Sequence, residues 1–312
     1  MLYTRLTFRS ELKDEAILPP FKGSTFRGAF GTALKQVVCA MKRQDCRSCL
    51  LGSSCVYASF FETKGPIKTQ DGKEVAFPPH PFVIEPPLTT KMHFQSGECL
   101  DFNLILFGRA CDYLPYWIYA FNQMGHSGIG RKINGKRAEF VLKTVLSSQG
   151  KIIYSSRDQR LVTDDVISSL VFQEPQGEVK RLTIHLKTPL RVKDQNHLKA
   201  DLPFSILIRA SLRRISSLFS CYGDGNPNLD YHGLVERSRN KSIEIEKSDL
   251  QWFDWTRYSN RQEVKMLMGG MMGSVSYKGN LIEFLPLLRL CEEVHLGKQT
   301  TFGLGQIGVE VG

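Results

Sequence analysis

The sequence predicts an α+β chain built from two tandem units of one design, and three observations predict it. The same order of elements occurs twice: strand, helix, strands, helix, glycine-rich turn, final strand. Landmarks recur at comparable spacing, with 101 residues from Arg27 to Gly128 and 94 from Arg209 to Gly303. Each half also closes on a turn with glycines two apart, GIG at Gly128 and GLG at Gly303, leading into a final strand. Two such split strand–helix–strand sets make tandem ferredoxin-like (RRM-like) domains. The expected boundaries are 1–154 and 179–312, with a polar linker over 155–178.

The first half opens on YTRLTFRSEL, whose apolar–polar alternation suits a half-buried strand. FKGSTFRGAFGTALKQVVCAM is its helix: Phe26, Phe30, Ala33, Leu34, Val37 and Val38 recur at three- and four-residue spacing, and Ser24 or Thr25 is placed to cap it. HPFVIEPP and CLDFNLILFG read as strands. DYLPYWIYAFNQMG reads as a helix ending at Gly125. GHSGIGRKINGKRAEFVLKTVL is a glycine-rich turn feeding a strand.

VKRLTIHLKTPLRV opens the second half as another alternating strand, and FSILIRASLRRISSLFSCYG follows as its helix. DLQWFDWTRY and MMGSVSYKG read as strands, with Gly269, Gly270 and Gly273 at a bend or bulge. LIEFLPLLRLCEEV is a second helix that begins or bends at Pro286. The chain then reaches HLGKQTTFGLG and the alternating QIGVEV.

At 312 residues, 42% hydrophobic and 23% charged, the composition is that of a globular protein. The opening MLYTRLTFRSELKDEA lacks a signal-peptide apolar stretch, and no run spans a bilayer, so the expected location is cytoplasmic, without membrane. A formal net charge of +10 favours a polyanionic partner, because clustered Lys and Arg gain from phosphate contacts.

Of eight cysteines, Cys99, Cys111, Cys221 and Cys291 are dispersed among apolar neighbours. Cys39, Cys46, Cys49 and Cys55 crowd into 17 residues of an insertion at about 39–78. Four thiolates at this spacing suit a closed structural Zn2+ site, and an iron–sulfur cluster accepts the same ligands. Neither would leave an open position for catalysis.

With these pieces assembled, the chain resembles the CRISPR precursor-RNA processing endoribonucleases of the RAMP superfamily. RYSNRQEVKMLMGGMMGSVSYKG, LPLLRL and HLGKQTTFGLGQIGV are similar to that family's C-terminal signature with its glycine-rich loop. FRGAFGTALKQVVC, the cysteine cluster, CVYASFFE and PPHPFVIEPP are similar to the subset with a cysteine-rich insertion. The resemblance implies binding of CRISPR repeat RNA and a cut within the repeat. The cut would follow from 2′-OH attack without a metal, leaving a 2′,3′-cyclic phosphate and a 5′-OH. The alternative is a catalytically silent member that holds guide RNA in a multi-subunit CRISPR effector complex.

The RNA-binding candidates gather at the turns. Gly303 and Gly305 let backbone approach phosphate; Lys298 adds charge; Gln299, Thr300 and Thr301 add hydrogen-bonding groups; Phe302 stacks on a base or packs beneath the loop. A tight hairpin alone would also justify the glycines. Arg131, Lys132, Lys136 and Arg137 form a dense patch in the companion turn. Arg27, Arg209 and Arg213 add basic residues on the two first helices.

Many family members use a histidine in or just after the first helix, and FKGSTFRGAFGTALKQVV contains none; a loose alignment puts Phe61 there. The catalytic candidates are therefore His80, His232, Lys22, Lys35 and Lys64, while His295 reads as structural.

Overall fold

The computed structural model describes residues 1–42, 45–62, 66–69, 72–193, 198–225, 227–259 and 264–312, the side chains of 47, 257–259 and 264–267 excepted. Its contacts divide into two units: Met1–Ser169 with Ser220–Gly225, and Leu170–Phe219 with Asn226–Gly312.

The first unit begins with β1 (Leu2–Leu12), which buries Leu6, Phe8 and Leu12 on one face. The short β2 (Ala16–Ile17) precedes α1 (Gly23–Val38). Three short turns and a hairpin of β3 (Ile67–Lys68) and β4 (Glu74–Val75) make up the insertion. β5 (Phe82–Glu85) follows, then β6 (His93–Phe94), which pairs with β2. β7 (Phe102–Phe107) leads to α2 (Leu114–Ser127). Next come the hairpin β8 (Ile129–Ile133) and β9 (Lys136–Ala138), then β10 (Phe140–Ser147) and β11 (Ile152–Ser155). The sheet runs β11-β10-β1-β7-β5 and is antiparallel throughout. Without its edge strand β11, that is the ferredoxin-like order.

The core between helices and sheet is largely aromatic. Phe30 stacks on Phe121 at 4.2 Å and on Trp117 at 5.4 Å, and Phe8 stacks on Phe102 at 4.9 Å. Rings of this size bury a great deal of area per residue. The opposite sheet face buries Val83, Ile105 and Phe107 and carries a polar network beside them. Arg5 donates to both oxygens of the buried Glu85, at 2.9 and 2.7 Å, and Asn103 Nδ2 adds a third bond at 2.9 Å.

Two helix ends differ from expectation. Neither Ser24 nor Thr25 caps α1; the capping position is Lys22, with no side-chain cap, because the helix starts one residue before Ser24. α2 runs past Gly125 to Ser127 and stops at Gly128, whose φ is +73°. Gly125 is instead a contact glycine: a Cβ there would lie 2.4 Å from the Phe140 carbonyl oxygen.

Part of the 155–178 segment joins the first unit. β12 (Ser168–Ser169) pairs with the start of β1, Val166 is buried, and Thr4 Oγ1 donates to the Val166 carbonyl at 2.7 Å. These bonds satisfy the backbone of a segment whose polar composition had suggested a free connection.

The second unit contains β13 (Arg181–Leu190), α3 (Phe204–Tyr222) and α4 (Tyr231–Arg237). β14 (Glu244–Ser248), β15 (Gln251–Ser259), β16 (Val264–Lys278), α5 (Leu285–Val294) and β17 (Ile307–Val311) complete it. The order is β14-β16-β13-β17, with β15 also on β16. β16 is long enough to take two strands end to end, so β14 and β15 share the place of one ferredoxin-like strand. Gly273, at φ +113°, marks the break, where a Cβ would come within 2.7 Å of the Asp249 carbonyl oxygen.

β17 forms a sheet edge that α5 closes. Val309 N–H donates to Glu292 Oε1 at 2.7 Å, and Arg289 Nη1 donates to the Val309 carbonyl at 2.7 Å. The two side chains also pair with each other at 2.7 Å.

Candidate nucleic-acid interface

The glycine-rich loop of the second unit is fastened from below. α5 ends at His295, fully buried at φ +60°, with Nδ1 2.9 Å from the Leu304 carbonyl. A carbonyl only accepts, so Nδ1 carries the proton. Arg214 on α3 is buried and spans the helix end: Nη2 donates to Val294 O at 2.8 Å and Nε to His295 O at 3.1 Å. A guanidinium here satisfies orphan carbonyls and complements the helix dipole.

Across the loop, Leu296 N–H bonds Gly305 O at 2.8 Å, Gly305 N–H bonds Pro189 O at 3.1 Å, and Lys298 N–H bonds Arg191 O at 2.9 Å. Gly303 and Gly305 stand at φ +77° and +72°. A Cβ on Gly305 would sit 1.8 Å from the Leu296 carbonyl oxygen, so only glycine fits.

The loop's polar residues divide by direction. Thr300, Thr301, Gly303 and Gly305 are buried and build the loop, while Lys298 is exposed and Gln299 and Phe302 are half-buried. The Lys298 amine is held below its ordinary pKa by partial burial and then by the nearby charges of Lys193, Arg191 and Arg213. Arg191 and Lys193 lie at the end of β13, and Arg213 is exposed on α3 beside the exposed Arg209. Arg191 Nη1 also donates to Gly269 O at 2.6 Å, which ties the loop's base to β16. Cations brought together in this way repel one another and favour a bound anion.

The companion turn in the first unit repeats the backbone device. Gly128 and Gly130 have φ of +73° and +84°. The β8–β9 turn places Asn134 and Gly135 at +50° and +82°, the left-handed pair of a tight hairpin. Arg131, Lys132, Lys136 and Arg137 are all exposed, and among the described residues no ion pair engages them.

A third cluster lies on α1. Arg27, Gly31 and Lys35 fall at four-residue spacing on one helix face, and the π-helical turn Tyr57–Glu62 lies over them. Phe61 sits on Gly31, where a Cβ would be 2.2 Å from its ring. Arg27 Cζ lies 4.4 Å from the Phe61 ring centre, and Lys35 Nζ lies 5.7 Å from that of Tyr57. Tyr57 Oη donates to Glu62 Oε1 at 3.1 Å. Burial, then Glu62, push the phenol well above its ordinary pKa, so it stays a proton donor across the neutral range. Tyr57 and Glu62 were not singled out in the sequence. The available signal was the four-residue spacing of Tyr57 and Phe61 directly after Cys55.

The other candidates are dispersed. Lys22 is fully buried, with Nζ 2.5 Å from Thr89 O and 3.2 Å from Pro20 O, and burial lowers its pKa to about 8. It clasps a loop and faces no solvent. His80 is half-buried, with Nδ1 3.4 Å from the carbonyl oxygen of Phe60, within the Tyr57–Glu62 turn itself. His232 is exposed on the first turn of α4, and Asp230 caps that helix by accepting from Gly233 N–H at 2.8 Å. Lys64 lies outside the described residues.

Cys39, Cys46, Cys49 and Cys55 are free, half-buried thiols. Among the described residues, no three Cys, His, Asp or Glu side chains gather as a metal site. The tetrahedron expected from their spacing is not assembled among the described residues.

Residues 1–166 match the model of the AF_1859 N-terminal domain family, and residues 184–307 match that of CRISPR-associated endoribonuclease Cas6. An uncharacterized protein of Archaeoglobus fulgidus is 26% identical over 294 residues, covering 92% of this chain and 91% of that one. Among solved structures, a Cas6 product complex aligns with TM-score 0.58 at 13% identity, over 99% of each chain. Thermus thermophilus Cas6 aligns with TM-score 0.56 at 13% identity, over 99% of this chain and 98% of that one. A partial Cas6-RT-Cas1–Cas2 complex aligns with TM-score 0.57 at 14% identity, and the chain spans only 46% of that longer chain. At these identities the structural likenesses establish the ferredoxin-like fold. No helix among the described residues is long and apolar enough to cross a membrane.

Proposed function

Because the chain belongs to the RAMP superfamily of CRISPR RNA-processing proteins, we propose that it binds CRISPR repeat RNA and cuts it once within the repeat. The observation that carries this reading is the pair of left-handed-glycine turns. One follows α5 and presents the exposed Lys298, and the other follows α2 and presents the exposed Arg131, Lys132, Lys136 and Arg137. Phosphate is the anion that such backbone and charge accommodate together.

The proposed chemistry is attack of a ribose 2′-OH on the adjacent phosphate, leaving a 2′,3′-cyclic phosphate and a 5′-OH. It needs a group to accept the 2′-OH proton, one to protonate the departing oxygen, and a cation for the phosphorane charge. The α1 cluster supports these roles within one unit: Glu62 as acceptor, the protonated Tyr57 as donor, and Lys35 and Arg27 as cations. His80 is the further proton-transfer candidate on that side of the molecule, and His232 the one on the second unit. A structural Zn2+ at Cys39, Cys46, Cys49 and Cys55, separate from the reaction, is a distinct proposal.

A second reading, a silent RAMP protein that holds guide RNA in an effector complex, is favoured by one observation. Phe61, not a histidine, covers Gly31 on α1.

The test is incubation with cognate repeat RNA in excess EDTA. One cut with a cyclic-phosphate end supports the nuclease. Tight binding without a cut replaces it with the holder. Lys35→Ala should then slow cutting by about a hundredfold to a thousandfold with little change in binding, if the cation acts on the phosphorane.

A further inference from the structure

We propose that the outer face of α2 is a base-stacking track that carries unpaired nucleotides of the RNA to the basic β8–β9 hairpin. This rests on the RNA-binding reading above and adds a subsite to it.

α2 buries Trp117, Ile118, Phe121 and Met124 in the core, so its other face is free to carry solvated residues. It carries tyrosines instead. Tyr116 and Tyr119 are 46% and 53% exposed, and at three-residue spacing they are neighbours on one face. The line extends backwards: Tyr113 lies 6.1 Å from Tyr116 ring to ring, and Phe60 packs edge-on against Tyr113 at 5.1 Å. The inner end of the line is thus held by the core while the outer rings stand in water. Rings anchored in this way lose little freedom when a base stacks on them.

The same helix runs straight into the cationic hairpin. Gly128 ends α2, β8 begins at Ile129, and a Cβ on Gly128 would lie 2.8 Å from the Arg137 Cβ. About 16 Å of helix axis separates Tyr116 from Ser127. Exposed aromatics leading to a cluster of exposed cations is the composition that single-stranded nucleic acid rewards, since every base has a stacking face and every linkage a charge. A protein partner would also bury tyrosines, but it would not call for Arg131, Lys132, Lys136 and Arg137 at the end of the line. The charge favours RNA.

The experiment compares full-length variants by fluorescence anisotropy with labelled single-stranded repeat RNA over a range of salt. Y116A/Y119A removes two exposed rings and should weaken binding on the order of thirtyfold, the low end for two stacked bases. The slope of log affinity against log salt should not change, because no charge is lost. Y116F/Y119F keeps the rings and should bind as the unaltered chain does. K132Q/K136Q should instead flatten the slope. An affinity for Y116A/Y119A within about threefold of the unaltered chain would overturn the track and assign the tyrosines to a protein partner. An unaltered chain that binds no repeat RNA would overturn the parent reading, and the track with it.

Discussion

Gly305→Ala is the sharpest perturbation of the loop, and Gly135→Ala is its internal control. Both glycines have positive φ, +72° and +82°, so both alanines incur the left-handed penalty of about 1–2 kcal/mol. Part of it is returned, because alanine restricts the unfolded chain by about 0.4–1 kcal/mol. At Gly135 nothing lies within 4 Å of the new Cβ, and the net cost should be about 1 kcal/mol. At Gly305 the Cβ would fall 1.8 Å from the Leu296 carbonyl oxygen, so that backbone must move. The Leu296–Gly305 and Gly305–Pro189 hydrogen bonds hold it, and losing both adds about 1–3 kcal/mol. The expected cost at Gly305 is therefore roughly 2–4 kcal/mol. Hydrogen exchange followed by mass spectrometry on peptides covering 295–305 and 129–138 measures each locally. Repeat-RNA affinity should fall for Gly305→Ala, because Lys298 loses its fixed position. If Gly305→Ala loosens its loop no more than Gly135→Ala loosens its hairpin, backbone collision does not set the cost at Gly305.

Three more predictions follow from buried groups. Arg214→Met leaves the Val294 and His295 carbonyls without their guanidinium, and unfolding of the second unit should become easier by about 2–4 kcal/mol, read by urea denaturation. Lys22 has a folded pKa of about 8 against an ordinary 10.5, so between those values the unfolded chain binds more protons and stability rises with pH. Below pH 8 the full penalty of roughly 3 kcal/mol applies, so the stability advantage of Lys22→Met over the natural residue should shrink as pH is raised through that window; a constant difference would discard the buried-amine account. For the cysteines, metal analysis of purified protein should find about one zinc per chain with four thiols shielded from a thiol reagent. Less than half an equivalent with four reactive thiols would remove the site, and stoichiometric iron would make it a cluster.

The sheet and four principal helices could be read from periodicity, since β1, β13, α1 and α3 each bury one clean face. Local signals failed where neighbours decide. Gly125 looked like a helix stop but is a contact glycine under Phe140, and the stop came three residues later. α4 escaped notice because only Leu234 among its seven residues is buried, leaving no apolar period. Tyr57–Glu62 escaped for a different reason: a π-helical turn follows no 3.6-residue rhythm. Thr300 and Thr301 looked like groups offered to a ligand, yet they are buried. A polar loop folded back on itself must satisfy its own backbone, and short hydroxyls serve that need.

The closure of β17 by Arg289 and Glu292 also bears on how the protein behaves at high concentration. IGVEV is apolar enough to recruit a strand from another molecule, and an open edge is the usual invitation. At Val309 both backbone groups are already taken by side chains of the chain's own helix. Another molecule must displace a charged pair before it can pair with Val309, in the middle of the edge. The residues that finish the sheet thereby also keep one chain from templating the next.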